Sequence, residues 1–464
     1  MSHVLVISPE SMPIGENLSG GPGIRYWEMA HSLARLGHKV TVAVPADEYT
    51  GIYTGEIELI SWTIENLPEI CLPEDAVILP YVNEYLSIVY AHLIDKDIPT
   101  VVDLYDPVLI ENLNIRKKSP ESTQSYLDYL KGIRKLLIRG DFFLYANERQ
   151  YYYYLGMLNA VGRINPYTYH GKILALVPFG IPGDSPRHDK NVLRGTVVGI
   201  KDPVLLWFSG IYPWFDAITL INAMPAVLEA VPDTKLVVMG GVHPDLSAPD
   251  DEYQKTLKAA KNLGLMNKSI FFTRWQPYNE RSNYYLEADI AICTSKGQLE
   301  NELSHRTRVI DLLWGGLPVI TSEGDEVGKI AKDTGCGITV PVGDRHALAR
   351  EIINLLRDKK KRTTMGKKGR AMVANRYTWD RVVTPLHDFL VAPTTAPDRR
   401  NRRVRAALDS DLGDFQISQN PRLDQELAKL TLPKKTAMSY RVEGLGGMLA
   451  RTAHYFGRRI GWYK

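Results

Sequence analysis

The chain has 464 residues, of which 44% are hydrophobic and 23% charged, a composition typical of folded globular proteins. A chain of this length holds about three domains, or two large domains and an appendage, so a single small module is excluded. No apolar run approaches the roughly 18 residues needed to cross a bilayer, which excludes a membrane-spanning protein. The amino-terminal residues show no secretion signal, so we expect a cytoplasmic location.

Charge is distributed unevenly along the chain. The formal net charge is +3, but the segment from Asp398 onward holds 14 basic and 7 acidic residues. The preceding 397 residues therefore carry a net charge of −4. This pattern argues against a nucleic-acid-binding protein, whose basic residues would line a folded domain, and predicts an anionic partner for the tail.

The cysteines also exclude some classes of protein. Cys71, Cys293 and Cys336 are odd in number and include no CxxC pair. Neither a disulfide framework nor a zinc site can be assembled from them, so we expect each to be a small buried residue.

Strands and helices alternate through the first part of the chain. The apolar run 3–8 predicts a buried strand, followed by a glycine-rich loop and a helix over 25–36. Such a unit opens a parallel sheet. Further strands are predicted at 38–45, 76–81, 100–105, 142–146 and 173–179.

The alternation pauses over residues 182–203, which are rich in Pro, Gly, Asp and Asn, so we expect a domain boundary there. Two doubly wound domains predict a ligand in the cleft at the carboxyl ends of their strands. Strands are predicted in the second half at 203–210, 235–241, 269–275, 289–295, 318–321 and 337–341. Helices are predicted between them at 217–229, 252–263, 279–287, 306–315, 325–333 and 344–358.

Glycines Gly20, Gly21 and Gly23 precede the first predicted helix. Backbone N–H groups in such a loop can approach a ligand closely, and the positive end of the helix dipole favours an anionic centre. An ordinary turn is the alternative. The spacing is GGxG rather than the GxGxxG of dinucleotide-binding folds, which disfavours a dehydrogenase.

The densest group of polar residues extends over 300–328. Free N–H groups at the start of its predicted helix, together with Arg306 or Arg308, would bind a diphosphate, and Asp311 could accept a hydrogen bond from a ribose hydroxyl. A charged surface helix is the alternative. Trp275 and Tyr278 follow a predicted strand at the cleft, where an aromatic ring could either stack on a nucleobase or pack in the core.

Several motifs occur in a recognisable order. They are the glycine loop, the acidic motif 103–107, PFGIP at 178–182, the polar loop 209–217, the helix that ends in GGLPVIT, and YTWDRVV at 377–383. In this order they resemble the GT-B fold glycosyltransferases of family 4, which are retaining and nucleotide-sugar dependent and occur in bacterial polysaccharide or glycan assembly. The resemblance covers about residues 1–390.

The resemblance implies an α/β fold of two doubly wound, Rossmann-like domains that face a cleft. We expect an acceptor domain over 1–195, a nucleotide-sugar domain over 196–375, a crossover helix over 376–391 that packs back on the first domain, and a basic helical tail over 392–464. Within the tail, 392–405 reads as a flexible linker that belongs to neither core.

The resemblance also implies site residues. The second acid of the family's Glu-x7-Glu motif falls on Asp311 and the first on Leu303, so we take the neighbouring Glu302 as its substitute. Catalytic roles are implied for Glu302, Asp106 and Arg306, and contacts with the acceptor or sugar for Arg25, Tyr105 and Asp106. Donor nucleotide-binding is implied for Gly20, Gly21, Gly23, Ser209, Gly210, Trp275, Tyr278, Ser304, His305, Arg306, Thr307, Arg308 and Asp311.

The family's usual Arg and Lys, which neutralise the donor diphosphate, are missing from the loop 210–216, and the segment 304–308 is expected to supply the positive charge. The implied activity (EC 2.4) is transfer of a hexosyl or deoxyhexosyl group from a nucleotide sugar to a glycan or lipid-linked acceptor, with retention of configuration. No DxD-type loop follows a strand, so no obligatory metal or other cofactor is expected. The alternatives are an inactive GT-B-like subunit that binds nucleotide sugar or acts as a scaffold, and a GT-B epimerase.

The end of the tail has helical periodicity over 449–463, with an apolar face opposite Arg451, His454 and Arg458. Such a basic amphipathic helix docks either on protein, its own surface or a partner subunit, or on the anionic inner face of a membrane. The apolar face consists of Leu449, Thr452, Ala453, Phe456, Ile460 and Tyr463.

Overall fold

The structure of the chain is a computed structural model, and it describes residues 1–46, 55–63, 66–71, 75–81, 97–116, 118–240 and 251–410. The predicted amphipathic segment 449–463 lies outside the described residues. Within them, no helix is long and apolar enough to cross a membrane. Cys71, Cys293 and Cys336 are all buried, as predicted.

The first sheet is built from parallel strands. They are β1 (His3–Ile7), β2 (Lys39–Pro45), β3 (Glu58–Trp62), β4 (Ala76–Pro80), β5 (Thr100–Asp103), β6 (Phe142–Tyr145) and β7 (Leu174–Leu176). Their order is β3-β2-β1-β4-β5-β6-β7. Val4 and Val6 of β1 belong to one apolar core and Leu5 and Ile7 to another. Both faces of the sheet are therefore covered, which explains the continuous apolar runs in the sequence.

The described helices of the first domain connect these strands. α1 begins at Gly21 rather than at the predicted Arg25, because Pro22 suits the first turn of a helix, where its missing N–H costs no hydrogen bond. The helices are α1 (Gly21–Arg35), α2 (Leu67–Ile70), α3 (Val108–Leu113), α4 (Pro120–Arg139) and α5 (Glu148–Ala160).

The second sheet repeats this architecture with the strands β8 (Val204–Phe208), β9 (Lys235–Met239), β10 (Ile270–Thr273), β11 (Ile290–Cys293), β12 (Val319–Ser322) and β13 (Gly337–Val340). Their order is β10-β9-β8-β11-β12-β13, again all parallel. The helices are α6 (Ala217–Ala230), α7 (Asp251–Asn262), α8 (Arg281–Glu287), α9 (Leu299–Leu303), α10 (Thr307–Trp314), α11 (Glu326–Asp333), α12 (Arg345–Arg357) and α13 (Lys359–Arg376). The predicted fold class of two doubly wound α/β domains is confirmed.

The last residues before the predicted boundary at 195 contact the second domain. The backbone N–H groups of Val192, Leu193 and Arg194 all donate to the carboxylate of Glu287, at the end of α8 in the second domain. Arg194 also forms an ion pair with Asp289. These contacts fasten residues 192–194 to the second domain.

After α13 the chain returns to the first domain through α14 (Trp379–Val382) and α15 (Thr384–Leu390). The Trp379 N–H donates to Ile181 O at 3.0 Å, and the indole packs so closely on Gly180 that a Cβ there would lie 2.6 Å from it. Asp380 accepts a hydrogen bond from Ser32 of α1. Gly180 is therefore required by the close approach of the tryptophan.

The expectation that 392–405 is a linker outside both cores is wrong for its second part. The chain forms α16 (Pro397–Arg400) and α17 (Arg402–Ser410) against the first domain. Fully buried Asp398 accepts hydrogen bonds from Arg163, and buried Arg399 pairs with Asp141 at 2.6 Å. Arg399, which belongs to a run that the sequence predicts to be solvated, is therefore buried against a carboxylate at the amino-terminal edge of the first sheet.

Candidate active site

A cleft of about 280 Å³ lies at the carboxyl ends of the strands in both sheets. The first domain contributes the start of α1, the loop after β5, and α3. The second domain contributes the loop after β8, the residues around Trp275, and the segment from Glu300 to Asp311. The cleft is where two doubly wound domains are expected to bind a ligand.

The structure brings most of the predicted site residues to this cleft. Those that line it are Gly21, Tyr105, Asp106, Ser209, Trp275, Tyr278, Ser304, His305, Arg306, Thr307, Arg308 and Asp311. Five others do not line it: Gly20, Gly23, Gly210, Arg25 and Glu302.

The glycine loop is engaged by a carboxylate of the chain itself. The Gly23 N–H donates to Glu10 Oε1 at 2.6 Å, and a Cβ on Gly20 would lie 2.9 Å from the same carboxylate. Glu10 thus takes the position at the start of α1 that was predicted for an anionic centre of the ligand, since its carboxylate also favours the positive end of a helix. Within the loop, Gly21 remains at the cleft.

Arg25, predicted to contact acceptor or sugar, is completely buried behind the cleft. Its guanidinium forms two hydrogen bonds with Asp103 at 2.6 and 2.8 Å and donates to the carbonyls of Val177 and Pro178. Arg25 does not reach the cleft because α1 directs its side chain towards the end of β5, where the Asp103 carboxylate pairs with it.

Glu302, predicted to be catalytic, is exposed, while Glu300 is 1% exposed and lines the cleft. The two residues are two positions apart on α9, which turns their side chains by about 200° relative to each other. The structure therefore places Glu300, rather than Glu302, beside the predicted catalytic Arg306.

Arg306 and Arg308 have different surroundings. Arg306 donates to both carboxylate oxygens of Glu300 and to Asn301. Arg308 stacks on the ring of Phe215 at 3.6 Å and forms no ion pair with a described residue. Burial lowers the pKa of Arg308 to about 10, so it still carries a positive charge at neutral pH.

Asp311 belongs to a network that sequence reasoning missed. Its carboxylate accepts hydrogen bonds from the Tyr285 hydroxyl at 2.6 Å and from Arg281 Nε at 3.1 Å. The Arg281 guanidinium stacks on Tyr278 at 3.5 Å, and its Nη2 has no partner among the described residues. No local motif marks Arg281 or Tyr285, because the network forms only when α8 packs beside α10.

Aromatic rings line the wall of the cleft formed by the second domain. Tyr212 and Trp214, in the loop after β8, stack with their ring centroids 5.1 Å apart and their planes 19° apart. Trp275 lies over Gly240, where φ is +87° and a Cβ would be 3.1 Å from the indole. Planar and apolar surfaces of this kind suit a nucleobase or the face of a sugar ring.

Carboxyl groups line the cleft on both sides, two from the first domain and one, Glu300, from the second. Asp106, Glu111 and Glu300 all line it, and burial raises the pKa of Asp106 to about 7, with a further contribution from nearby Asp103 and Glu300. Burial also raises the pKa of Glu111 well above its usual value, and the nearby carboxylates of Asp106 and Glu300 raise it further. No group of three or more His, Cys, Asp or Glu side chains in the described part of the chain is arranged to hold a metal ion.

Comparisons with known proteins agree with this architecture. Residues 199–372 match the family described as glycosyl transferases group 1. A GDP-mannose-dependent alpha-(1-6)-phosphatidylinositol monomannoside mannosyltransferase of Mycolicibacterium smegmatis is 25% identical over 209 residues, 44% of this chain and 52% of that protein. The chain thus spans about half the length of the curated relatives it matches.

Solved structures match over more of the chain. Sucrose-phosphate synthase from Thermosynechococcus elongatus superposes with a TM-score of 0.62 at 17% identity, over 84% of this chain and 98% of that chain. Anabaena HepE, solved with UDP-glucose, superposes with a TM-score of 0.58 at 15% identity, over 84% of this chain and all of that one. The fold is therefore the GT-B fold that these structures share.

Proposed function

We propose that the chain is a family 4 glycosyltransferase that moves a hexosyl or deoxyhexosyl group from a nucleotide sugar to a glycan or lipid-linked acceptor, with retention of configuration. The observation that carries the proposal is Arg308. Its guanidinium lies at the start of α10, in the cleft between the two doubly wound domains. This cation forms no ion pair with a described residue and stacks on Phe215. The match of 199–372 to glycosyl transferases group 1 supports the same reaction class.

The donor site of the proposal lies on the second domain. Departure of a nucleoside diphosphate places negative charge on phosphate oxygens, and preorganised cations and N–H dipoles stabilise that charge. Arg308 and the first N–H groups of α10 supply both. Asp311 is positioned to take a ribose hydroxyl, and Trp275 or Tyr278 to stack on the base.

The acceptor site of the proposal lies on the first domain. Tyr105 and Asp106 follow β5 and line the cleft opposite the donor residues. Tyr105 is held in place by the guanidinium of Arg25, which lies 4.6 Å from the centre of its ring. Arg25 is thus a residue that supports this wall rather than one that contacts the sugar.

One observation favours the alternative of a subunit that binds nucleotide sugar without turnover. Arg306 is already paired with Glu300, so one of the two cations predicted for the diphosphate is neutralised. A single remaining arginine could suffice for binding yet stabilise the leaving group weakly.

A panel of nucleotide sugars tests the proposal. The wild-type chain is incubated with UDP-, GDP- and dTDP-sugars and with methyl or octyl glycosides as acceptors, and both nucleoside diphosphate release and glycoside products are measured. Products with retained anomeric configuration support the proposal. Diphosphate binding by calorimetry without any release indicates the non-catalytic alternative, and an absence of both overturns the proposal.

We also propose that the chain works in the cytoplasm, at the inner face of a membrane, through its tail. Exposed Arg402 and Arg403 begin α17, and Asn401 beside them donates to the hydroxyl of Tyr167, which is 49% exposed. Arginines and tyrosines together suit an anionic membrane interface. A partner subunit is the other occupant that this surface could take.

Co-sedimentation with vesicles tests this proposal. The full chain is compared with a chain that ends at Arg400, which removes Arg402 and Arg403 and keeps the residues of the buried Arg163–Asp398 and Asp141–Arg399 pairs. Preferential binding of the full chain to phosphatidylserine vesicles at low salt supports a membrane role for the tail. Equal partitioning of both chains, or equal binding to neutral vesicles, contradicts it.

A further inference from the structure

Three consecutive backbone carbonyls of the second domain accept hydrogen bonds from side chains of the first. They are the carbonyls of residues 302–304 at the end of α9, and a helix leaves its last carbonyls without partners inside the helix. Each of them accepts from Asn147, Arg149 or Gln150, at the start of α5. Ser304 lines the cleft, so the two domains are joined at the cleft wall.

Gln150 connects the two domains through a single amide group. Its amide nitrogen donates to the carbonyl of Tyr105 at 2.8 Å and to that of Leu303 at 2.9 Å. Its amide oxygen accepts a hydrogen bond from the Ala146 N–H at 2.8 Å, and the side chain is fully buried. An amide nitrogen has two hydrogens, so one is used by a carbonyl of each domain.

Asn147 has two separate functions at the same place. Its side-chain oxygen caps α5 by accepting a hydrogen bond from the Gln150 N–H at 2.9 Å. Its amide nitrogen donates to the carbonyls of Leu303 at 3.1 Å and Ser304 at 3.2 Å. Because the cap uses only the oxygen, the contacts of the nitrogen with the second domain are not needed to form α5.

The two segments joined in this way carry the proposed acceptor and donor sites. Tyr105, whose carbonyl binds Gln150, follows β5 and lines the cleft together with Asp106. Residues 303–304 directly precede residues 305–308, which also line the cleft and include Arg308. A shift of α5 relative to α9 would therefore move the acceptor wall relative to the donor cation.

We infer that Asn147 and Gln150 are positioning residues that hold the acceptor wall of the first domain against the donor segment 303–308 of the second. The inference rests on the glycosyl transfer proposed above, in which acceptor and donor bind to different domains. Transfer then requires the acceptor hydroxyl and the anomeric carbon to be held in one arrangement. Neither residue lines the cleft, so both act through the backbone that they bind.

The kind of bond suits a contact that forms when the domains close and breaks when they open. All these donors are side chains and all the acceptors are backbone carbonyls, and water can replace either partner when the domains separate. The net free energy of each bond is therefore small. Exposed Arg149 adds a further bond of this kind to the carbonyl of Gly324.

The test compares Asn147→Ser and Gln150→Met with Gln124→Met, the same change of a glutamine on the exposed face of α4. Serine keeps a capping oxygen and lacks the amide nitrogen. With the donor and glycoside acceptor that turn over in the panel, we expect each of the first two variants to lower kcat by about 10-fold or more, because a small misplacement of reacting groups is costly. Gln124→Met should keep the wild-type kcat.

Three further measurements separate positioning from loss of structure. The affinity for nucleoside diphosphate, measured by calorimetry, should be unchanged in each variant because the proposed donor residues lie on the second domain. The free energy of unfolding of Asn147→Ser in urea should match that of the wild type, since the cap of α5 remains. X-ray scattering without ligand should give Gln150→Met a larger radius of gyration than the wild type, because its domains separate more easily.

The outcomes separate this inference from the proposed function. If the wild-type chain transfers sugar and both Asn147→Ser and Gln150→Met keep its kcat, the inference is wrong. A loss of kcat accompanied by an equal loss of nucleoside diphosphate affinity also overturns it, because the donor site itself is then damaged. A wild-type chain that neither transfers sugar nor binds nucleoside diphosphate overturns the proposed function. The scattering comparison needs no substrate, and an unchanged radius of gyration in Gln150→Met refutes the coupling of the domains even then.

Discussion

Arg306 donates to both carboxylate oxygens of Glu300, from Nη1 to Oε1 at 2.9 Å and from Nη2 to Oε2 at 2.8 Å. Both side chains are buried, and the pair lies at the wall of the cleft. A guanidinium neutralised in this way contributes less to binding an external phosphate than one without a carboxylate partner. The two arginines of the segment 304–308 therefore have separable roles.

We expect Arg308→Ala to weaken nucleoside diphosphate binding by about 10-fold or more, because a charged hydrogen bond contributes about 1.5 to 3 kcal/mol. Arg306→Ala should instead lower the free energy of unfolding by about 3 to 5 kcal/mol, since it leaves Glu300 buried without its cation. Calorimetry and urea unfolding measure the two effects, with the exposed Arg350→Ala as control. An affinity of Arg308→Ala for nucleoside diphosphate equal to that of the wild type would contradict the proposed role of Arg308 in the donor site.

Removal of the buried Arg163–Asp398 pair should destabilise the protein. Arg163→Met leaves Asp398 fully buried without its cation, and we expect a loss of about 3 to 5 kcal/mol in the free energy of unfolding. The control is Arg35→Met, which breaks the exposed pair with Asp380 and should cost less than about 1 kcal/mol. Equal losses in urea unfolding would show that α16 does not hold the tail to the first domain.

His305 should make stability fall in acid. Its pKa is lowered to about 3 in the folded chain, so between about pH 6.5 and pH 3 the unfolded chain binds a proton that the folded chain does not. The free energy of unfolding is therefore not reduced by this histidine above about pH 6.5, and it falls as the pH decreases from there towards pH 3. At pH 5, His305→Gln should remove a destabilisation on the order of 1 to 2 kcal/mol. Thermal unfolding at pH 7.5 and 5 measures this, and parallel losses in both proteins would contradict it.

Asp311 should affect the donor rather than the chemical step. Asp311→Asn weakens an acceptor for the ribose hydroxyl, so we expect a higher KM for the donor with kcat changed little. Tyr285→Phe removes one hydrogen bond to Asp311 and leaves the net charge of the cleft unchanged. It should raise the KM for the donor by a smaller factor. A fall in kcat at constant KM in both variants would assign Asp311 to the reaction step.

Metal removal should leave the activity unchanged. We propose that Arg308 and the start of α10 neutralise the leaving diphosphate in place of a divalent cation. Sugar transfer should therefore be the same in EDTA as in the presence of Mg²⁺ or Mn²⁺. Loss of transfer in EDTA, with recovery when Mg²⁺ is added back, would show that the diphosphate needs a metal partner.

The strands could be predicted closely because a sheet covered on both faces needs continuous apolar residues. The run over 3–8 became β1 (His3–Ile7), and the apolar residues at 76–81 became β4 (Ala76–Pro80). Because strands alternate with helices, the carboxyl ends of the parallel strands lie at one edge of each sheet. The position of the cleft at that edge could therefore be predicted as well.

The directions of charged side chains could not be predicted in the same way. Nothing in the sequence near Arg25 shows that Asp103, 78 residues later, would bury and neutralise it. Glu300 and Glu302 look equivalent in the sequence, and the packing of α9 decided which one meets Arg306.

The same reason explains the misread tail. Arg399 and its neighbours are a basic run by composition, and this composition is typical of a solvated linker. The burial of Asp398 and Arg399 depends on Arg163 and Asp141, which the folded first domain holds at the amino-terminal edge of its sheet. Apolar periodicity is a local property and specifies the elements, whereas a charged group is positioned by a partner that only the packing of distant segments brings within hydrogen-bonding distance.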